Sequence, residues 1–276
     1  VGALINLAPR HNVRVSYQTA MRTPTMQDMY IGLGSGSQSG FPVVLFGSSP
    51  DSVERFRYVH NTWGGSYTVT GDMVMNNSYK AEELINGGVA VVAELDNVEP
   101  EYVQSREVGY RYNGKKLSID INAYWAKYQN FIASKNVIVP FYGSVANGSA
   151  LAAVQANDVA IYAVDNNTDE VVSTMGLDIG LDAKIFGKFD FGAKFAYNEM
   201  DRSNIDPSYE TSFNTPKVRG RLSLGSTEIG DNIGFNVSAS YHNAFLYEST
   251  FADGIIPANW VFNASMSFDV PELQSV

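Results

Sequence analysis

The sequence predicts an all-β protein that forms part of a transmembrane, antiparallel, up-and-down β-barrel. Three observations predict this fold. Apolar and polar residues alternate in segments of about ten residues, the connections between the segments are alternately short and long, and aromatic residues gather near the segment ends. Because a β-strand points successive side chains to opposite faces, the alternation gives each segment one apolar and one polar face.

The alternation identifies nine candidate strands. It is clearest between Met175 and Ala183, where every second residue is apolar and the residues between are glycine or aspartate. The nine candidates cover residues 1–7, 13–20, 107–112, 117–126, 174–184, 189–198, 218–224, 233–242 and 262–270. Most are longer than the usual strand of a soluble protein and approach the length of about ten residues that crosses a membrane.

The connections differ in length in a regular way. The short ones cover residues 8–12, 113–115, 185–188 and 227–232, and they carry turn residues such as glycine and asparagine. The long ones cover residues 22–102, 129–173, 199–216 and 243–258. Short turns at one end of the strands and long loops at the other are typical of outer-membrane barrels.

Alternation alone does not separate a soluble β-sandwich, whose apolar face packs inward, from a membrane barrel, whose apolar face meets lipid. Strand length, loop asymmetry and aromatics near strand ends favour the membrane barrel. We expect these aromatics to form interfacial girdles, although each one could belong to a core. They are Tyr110, Tyr112, Trp125, Tyr128, Phe131, Phe186, Phe189, Tyr197, Tyr241, Trp260 and Phe262.

Composition excludes several classes of function. The chain of 276 residues has no cysteine, which excludes disulfides, thiolate zinc sites and a cysteine nucleophile. Its net charge of −10 argues against a nucleic-acid partner, since phosphates require a basic surface. No apolar run reaches the length of a membrane-spanning helix.

Motifs that carry catalysis or cofactor binding are not found. The three histidines are isolated, and the glycine-rich stretch of residues 32–40 matches no phosphate-binding pattern. The acidic stretch of residues 165–170 lacks the ligand spacing of a calcium loop. A short helix is expected near residues 79–85. We predict no enzyme, no cofactor and no metal site.

The long connections carry aromatic residues among glycine and serine. Such rings suit stacking on a sugar or a macrocyclic ligand, and they suit equally the packing of a loop on itself. A loop as long as residues 22–102 is uncommon unless it serves a function. The candidate substrate-contacting aromatics are Tyr30, Phe41, Phe56, Trp63, Tyr67, Phe141, Tyr142 and Tyr162.

Several segments, taken together and in order, resemble TonB-dependent outer-membrane receptors. These segments are YQTAMRTP at residues 17–24, VEPEYVQSREVGYR at 98–111, KLSIDINAYWAKYQNF at 116–131, FNTPK at 213–217 and IPAN at 256–259. The resemblance spans nearly the whole chain, although no single segment is diagnostic. It identifies residues 1–276 as part of one receptor barrel, its C-terminal portion.

The resemblance also implies what accompanies this chain. We expect nine strands of a larger barrel, of about 22 strands, with the N-terminal plug and the final strands absent from the chain. A plug would connect the barrel to the TonB energy-transducing complex. The other expected partner is outer-membrane lipid in a Gram-negative bacterium, and a surface lipoprotein is left open.

The function that the resemblance implies is active import of a bulky, scarce nutrient: a siderophore, cobalamin or an oligosaccharide. A passive porin-like channel and a soluble all-β binding module are the alternatives. In the receptor, charged residues of the polar face are expected to line the lumen around the plug. The candidate lumenal residues are Arg14, Glu107, Arg111, Asp120, Asp178, Asp182, Arg219 and Arg221.

Overall fold

The computed structural model describes residues 1–276 except 39–40, 52, 60–65, 82–83, 85–86, 231, 250–252 and 270–276. The strands, in chain order, are β1 (Gly2–Ala8), β2 (His11–Arg22), β3 (Gly32–Gln38), β4 (Phe41–Phe46), β5 (Val53–Val59), β6 (Ser66–Thr70), β7 (Tyr79–Lys80), β8 (Glu101–Asn113), β9 (Leu117–Gln129), β10 (Ile132–Pro140), β11 (Val159–Asn167), β12 (Val172–Ile185), β13 (Phe189–Asp201), β14 (Tyr209–Glu210), β15 (Val218–Gly230), β16 (Ile233–His242), β17 (Phe245–Tyr247), β18 (Gly254–Ile256) and β19 (Asn259–Phe268). The helices that lie wholly within the described residues are α1 (Met26–Tyr30), α2 (Gly71–Asn76) and α3 (Leu151–Gln155). No helix among these described residues is long and apolar enough to cross a membrane.

Nine of the strands form one antiparallel sheet, which we call the wall. Its order is β1-β2-β8-β9-β12-β13-β15-β16-β19, so each wall strand pairs with the next wall strand along the chain. These are the nine strands that the alternation predicts, and the antiparallel up-and-down topology is confirmed. Several are longer than predicted, notably β8 and β9 with 13 residues each. The described part of the wall is an open sheet with β1 and β19 at its edges.

The register places the two kinds of side chain on opposite faces of the wall. Ile121 of β9 lies opposite Tyr110 and Ile179, whereas its neighbour Asn122 lies opposite Gly109 and Asp178. Since directly opposed residues share a face, the apolar positions of neighbouring strands merge into one surface. Large apolar side chains remain exposed on it, as they do at the lipid-facing surface of a barrel.

Apart from Tyr128 and Phe131, the predicted girdle aromatics divide into two groups. Trp125, Tyr197, Tyr241, Trp260 and Phe262 lie toward the long loops, and Tyr110, Tyr112, Phe186 and Phe189 lie in or toward the short turns. This distribution agrees with two interfacial girdles. Tyr128 and Phe131 differ. Tyr128 is one of the alternate residues of β9 that belong to the polar face, and its ring meets Phe131 edge-on, with the ring centroids 5.7 Å apart.

The long connections fold into a second sheet of six strands. Its order is β14-β10-β11-β4-β3, with β7 also paired to β10, and the β11–β4 pair is parallel. We call this sheet, together with α2, α3 and the residues packed on it, the loop module. It draws on connections 23–100, 130–171 and 202–217, so strands that pair side by side come from distant parts of the chain.

The loop module has a hydrophobic core, and its sheet is covered on both faces. On one face Val137, Tyr162 and Val44 pack with residues of α2; on the other Ile138, Ile161 and Val43 pack with Ala81. The long loops thus pack on themselves, one of the two alternatives that the sequence leaves open. The short helix expected near residues 79–85 begins later than predicted, because Tyr79 and Lys80 form β7, while Ala81 and Leu84 are helical.

A capped helix forms the junction between the wall and the loop module. Pro24 follows the end of β2, Thr25 caps α1, and Asp28 completes a capping box by accepting a hydrogen bond from the Thr25 amide at 2.9 Å. Gly47, just after β4, approaches α1 so closely that a Cβ atom there would lie 2.2 Å from the carbonyl of Met29. The RTPT segment therefore ends a strand and starts a helix.

Candidate functional site

The polar face of the wall brings together all eight predicted lumenal residues. One row of directly opposed residues runs across Arg14, Gly109, Asn122, Asp178, Ala196 and Arg219. The adjacent row runs across Arg111, Asp120, Gly180, Lys194 and Arg221. Glu107 lies two residues from Gly109 on β8, and Asp182 lies two residues from Gly180 on β12, so both share the face of these rows. The shared face is a finding, and their function as lumenal contacts stays a prediction.

Long polar side chains on this face lie over glycines of the neighbouring strand. A Cβ atom at Gly109 would lie 2.5 Å from Nε of Arg14, and one at Gly176 would lie 2.1 Å from the ring of Tyr124. The Tyr124 hydroxyl donates to Oδ1 of Asn198, 3.0 Å away. Glycine at these positions therefore provides the space in which the side chains lie flat along the wall.

The charges of the polar face are only partly neutralised within the wall. Arg111 forms an ion pair with Asp120. By contrast, Arg14, Lys194 and Arg219 have no carboxylate oxygen within 4.0 Å in the described part of the chain. These cations are open to a partner that faces the wall.

The aromatic candidates of the loops have different surroundings. Tyr162 and Phe141 are buried in the loop-module core, where the Tyr162 ring meets Phe46 edge-on at 5.4 Å. The sequence leaves open whether the loop aromatics stack on a ligand or pack the loop on itself. These two rings pack the loop, because they are buried and not accessible to a ligand in this structure. Phe41 is half-buried against the second core cluster.

Three candidates keep part of their ring at the surface. Tyr67 stacks on Phe141 and lies 5.9 Å from Tyr142, and both tyrosines are half-buried. Tyr30, at the end of α1, is 48% exposed. The side chain of Phe56 and all of Trp63 lie outside the described residues. A ligand contact at any of these positions stays a prediction.

An ion-pair cluster ties the wall to the loop module. Arg22, the last residue of β2, lies 3.1 Å from Asp28 and 4.0 Å from Glu101. Glu101, buried at the start of β8, accepts a hydrogen bond from the amide of Ile132 in β10. Asn167 of β11 adds side-chain hydrogen bonds that include one to the carbonyl of Asn130. The loop module is thus fastened to two adjacent wall strands.

A second cluster joins two other loops around Glu248. Its carboxylate is buried and accepts hydrogen bonds from Arg202 at 2.5 Å, Thr211 at 3.2 Å and the amide of Ser212 at 3.0 Å. Asn214 pairs with the Glu248 main chain in both directions. A charge buried in this way is stabilised because three donors from the facing loop surround it.

Partly buried ionisable groups of the loop module have shifted pKa values. Burial raises the pKa of Asp165 to about 6, with a further increase from nearby Asp28 and a decrease from Arg22. Burial also raises the pKa of Glu210 to about 7, and Asp253 adds to the effect. Asp206 is different: although burial opposes it, hydrogen bonds from Ser208 and the ion pair with Lys80 lower its pKa to about 2.

No group of three or more metal-ligating side chains is present among the residues that the structure describes. His11 Nδ1 lies 2.8 Å from the Tyr110 hydroxyl, and His242 Nδ1 lies 3.0 Å from the carbonyl of Asn243. His60 lies outside the described residues. In the acidic stretch, Asn167 is used in the hydrogen bonds that fasten the loops.

The Glu248 cluster depends on contacts between distant loops and was not predicted from the sequence. Two cations on the apolar face, Arg106 and Lys127, were not predicted either. A signal for these two existed: continued at period two past Val108 and Trp125, the alternation reaches a charged residue on each strand.

A wall of long antiparallel strands with one apolar and one polar face, short turns at one end and structured loops at the other, defines a transmembrane β-barrel of the outer-membrane class. The family comparison makes this specific. The family model described as "TonB dependent receptor-like, beta-barrel" matches residues 1–275, and the chain belongs to this family. The predicted resemblance is confirmed.

Solved structures share the fold at low sequence identity. The ferric enterobactin receptor PfeA of Pseudomonas aeruginosa, in a mutant form, gives a TM-score of 0.56 at 11% identity, covering 98% of this chain and 32% of that one. The copper transporter OprC gives 0.54 at 16% identity, covering 98% and 30%. The siderophore receptor PirA of Acinetobacter baumannii gives 0.53 at 10% identity, covering 96% and 33%. The chain spans about a third of the length of these structures, and no curated protein matches it significantly.

Proposed function

We propose that this chain is part of an outer-membrane receptor that imports a bulky, scarce nutrient with energy delivered through TonB. Membership of the TonB-dependent receptor family supports the transport function, because the proteins of this family are outer-membrane receptors. The observation that carries the proposal is the two-faced wall. Its apolar face suits lipid, and its polar face carries cations such as Arg14 and Arg219, which have no carboxylate within 4.0 Å among the described residues.

A plug inside the barrel is the occupant that we propose for the polar face. Carboxylates of such a plug would neutralise Arg14, Lys194 and Arg219. Reading the coding sequence upstream of Val1 tests this proposal directly. A plug-sized segment of roughly a hundred residues or more, a typical domain size, is the expected result, and its absence from the gene would contradict the proposal.

The loop module supports selective binding rather than open diffusion. Its core and its ties at Arg22 and Asn167 hold the exposed ring of Tyr30 and the half-buried rings of Tyr67 and Tyr142 on a fixed support. Rigidly supported rings bind with a smaller entropic cost than rings on a mobile loop. The substrate classes that we propose are siderophores, cobalamin and oligosaccharides.

A passive porin-like channel is the second candidate, favoured only by the wall that both classes share. Uptake of labelled candidate nutrients by cells that produce the full-length protein separates the two. We expect uptake to stop when TonB is deleted or the proton-motive force is collapsed. Uptake that persists in both conditions would establish the passive channel. The third alternative, a soluble binding module, is removed by the family assignment.

Substitution of loop aromatics tests where the substrate binds. Tyr30→Ala is expected to weaken substrate binding by about tenfold or more if the exposed ring stacks on the ligand, by analogy with aromatic stacking energies of about 1–3 kcal/mol. The matched control is Tyr142→Phe, which keeps the ring and removes only the hydroxyl. Unchanged affinity in Tyr30→Ala would remove Tyr30 from the site.

A further inference from the structure

The apolar face of the wall carries a basic patch near the long loops. Arg106 of β8 and Lys127 of β9 occupy positions whose parity is that of Val108 and Trp125, so they share the face that meets lipid. Both side chains are exposed. Charged residues on the lipid face of a barrel are costly at the bilayer centre and are tolerated near the interface, where they can reach the lipid headgroups.

The register fixes how the patch is arranged. Arg106 lies directly opposite Tyr17 and Trp125, and Lys127 lies directly opposite Gln104 and Ser173. Arg106 and Lys127 are therefore diagonal neighbours on adjacent strands, a relation that places side chains within about 7–8 Å of each other. Two cations and polar hydrogen-bonding groups thus converge beside an exposed tryptophan.

Neither cation is neutralised by a residue that the structure describes. No carboxylate oxygen lies within 4.0 Å of either one in the described part of the chain. The acidic residues at the same end of this face are Glu199 and Asp201 of β13. Glu199 is paired with Lys217, and Asp201 accepts hydrogen bonds from the amide and hydroxyl of Ser203.

The height of the patch matches the outer membrane interface. On β9 the outward residues from Leu117 to Trp125 are apolar, and Lys127 follows toward the loops. Eight residues of a strand tilted by about 40° span roughly 20 Å along the membrane normal, close to the apolar band of about 25 Å. Long loops mark the extracellular end of such barrels, so Lys127 lies at the headgroup level of the outer leaflet.

We propose that Arg106 and Lys127 bind a phosphate group of an anionic lipid of the outer leaflet. Two cations spaced on one rigid sheet match a doubly charged phosphate, and Gln104 and Ser173 add hydrogen-bonding groups beside it. Trp125 supplies the amphipathic ring that favours the interface. The site rests on the transmembrane wall and is independent of which nutrient is imported.

Native mass spectrometry of the full-length receptor in detergent tests the proposal. The receptor is titrated with a lipid A-type diphosphorylated glycolipid, with its monophosphorylated form and with zwitterionic phosphatidylethanolamine. We expect binding to weaken in that order, and Arg106→Gln/Lys127→Gln to weaken binding of the diphosphorylated lipid by about tenfold or more. Equal binding of all three lipids would overturn the proposal.

A matched control separates this site from general charge. Lys115→Gln/Lys188→Gln removes the same charge from exposed residues in the short turns, at the opposite end of the strands. We expect this control to keep wild-type lipid binding. If the control and the Arg106/Lys127 variant lose binding equally, the site is refuted.

Two further measurements test whether the site binds free phosphate and whether binding depends on the two positive charges. Inorganic phosphate at millimolar concentration serves as a competitor; phosphate that displaces the lipid completely shows a free-anion site and overturns the lipid assignment. The Arg106→Lys/Lys127→Arg exchange keeps both charges and should restore lipid binding. The heat-modified gel shift of a folded barrel checks that each variant is folded, and a folded Gln variant with wild-type lipid binding also overturns the proposal.

Discussion

The wall and the loop module use the same residue types in opposite ways. Among the described residues, nearly all buried hydrophobic side chains belong to the loop module, and only Ala126 and Val172 belong to wall strands. The wall instead exposes its apolar side chains, with Phe262 at 74% and Leu222 at 54%. The loop module lies in water, so its apolar side chains are buried in a core. The wall lies in lipid, so its apolar side chains face outward.

The two sheets also differ in how they were assembled. Wall strands pair with their chain neighbours through antiparallel ladders, whereas β11 and β4 of the loop module pair in parallel although about a hundred residues separate them. Pairing at long range costs loop-closure entropy, which the buried core around Tyr162 must offset. Local pattern therefore specifies the wall, and packing between distant segments specifies the loop module.

Removing the ring at the centre of the loop core should have the greatest effect on stability. Tyr162→Ala should destabilise the loop module by about 3–5 kcal/mol, because the fully buried ring leaves a cavity against Phe46. Limited proteolysis should then cut the long loops while the heat-modified gel shift still reports an intact wall. Tyr30→Ala, at an exposed position, is the control, and loss of both regions together would contradict their independence.

The corresponding test of the wall places a charge on its outward, apolar face. Leu181→Lys should lower the free energy of unfolding by about 2–4 kcal/mol, since the charge lies within the apolar band. A urea titration of the protein folded into lipid vesicles measures this loss. Asp182→Lys, one residue along on the polar face, introduces the same side chain and should be much milder. Equal costs at the two positions would show that the faces are assigned wrongly.

The pH dependence should be confined to the loop module. Asp165 and Glu210 have raised pKa values of about 6 and 7, so the folded state binds more protons than the unfolded state, and stability falls as pH rises toward 7. Between pH 5 and 8 we expect a loss on the order of 2 kcal/mol after allowing for solvent screening. Asp206, with a pKa of about 2, acts only below about pH 4, where stability falls as it is protonated.

Hydrogen exchange of the β10 and β11 amides at pH 5 and pH 8, corrected for intrinsic rates, measures this effect. Asp165→Asn/Glu210→Gln should flatten the profile. A pH dependence that survives in the double variant would assign the effect to other groups.

The contact between the two other loops should give a smaller effect. Glu248→Gln keeps the shape of the side chain and removes its charge, so the bonds from Arg202, Thr211 and Ser212 lose strength worth about 1–2 kcal/mol. We expect faster proteolysis of residues 202–217 with an unchanged wall. Glu228→Gln, on an exposed carboxylate, should leave cleavage at the wild-type rate.

The smallest effect belongs to an exposed ion pair of the wall. Lys184 and Asp190 lie 2.7 Å apart, with side chains 57% and 53% exposed. Lys184→Gln should change stability by less than about 0.5 kcal/mol, because water screens the pair. A urea titration that shows more than about 1 kcal/mol would mean that the polar face is drier than an open lumen.

The candidate site was predictable to different depths in the two regions. Parity alone assigned Arg14, Asp178 and Arg219 to one face, because direct opposition in an antiparallel sheet preserves parity across every strand. Parity gave no information on Phe141 or Tyr162, whose exposure depends on what packs over them. The strands of the loop module are buried on both faces, so their residues read as short apolar runs without alternation.

The pattern of residues along the chain was enough to predict the wall: its nine strands, their up-and-down order, their two faces and the family. That was enough because the period of a strand is local, and a membrane imposes a different solvent on each face. Only the folded structure shows that the long loops share a cored sheet, that Glu248 ties segments far apart in the chain, and that no carboxylate among the described residues lies within 4.0 Å of Arg106 or Lys127. Those features arise from contacts between distant segments, and local pattern does not encode which distant segments meet.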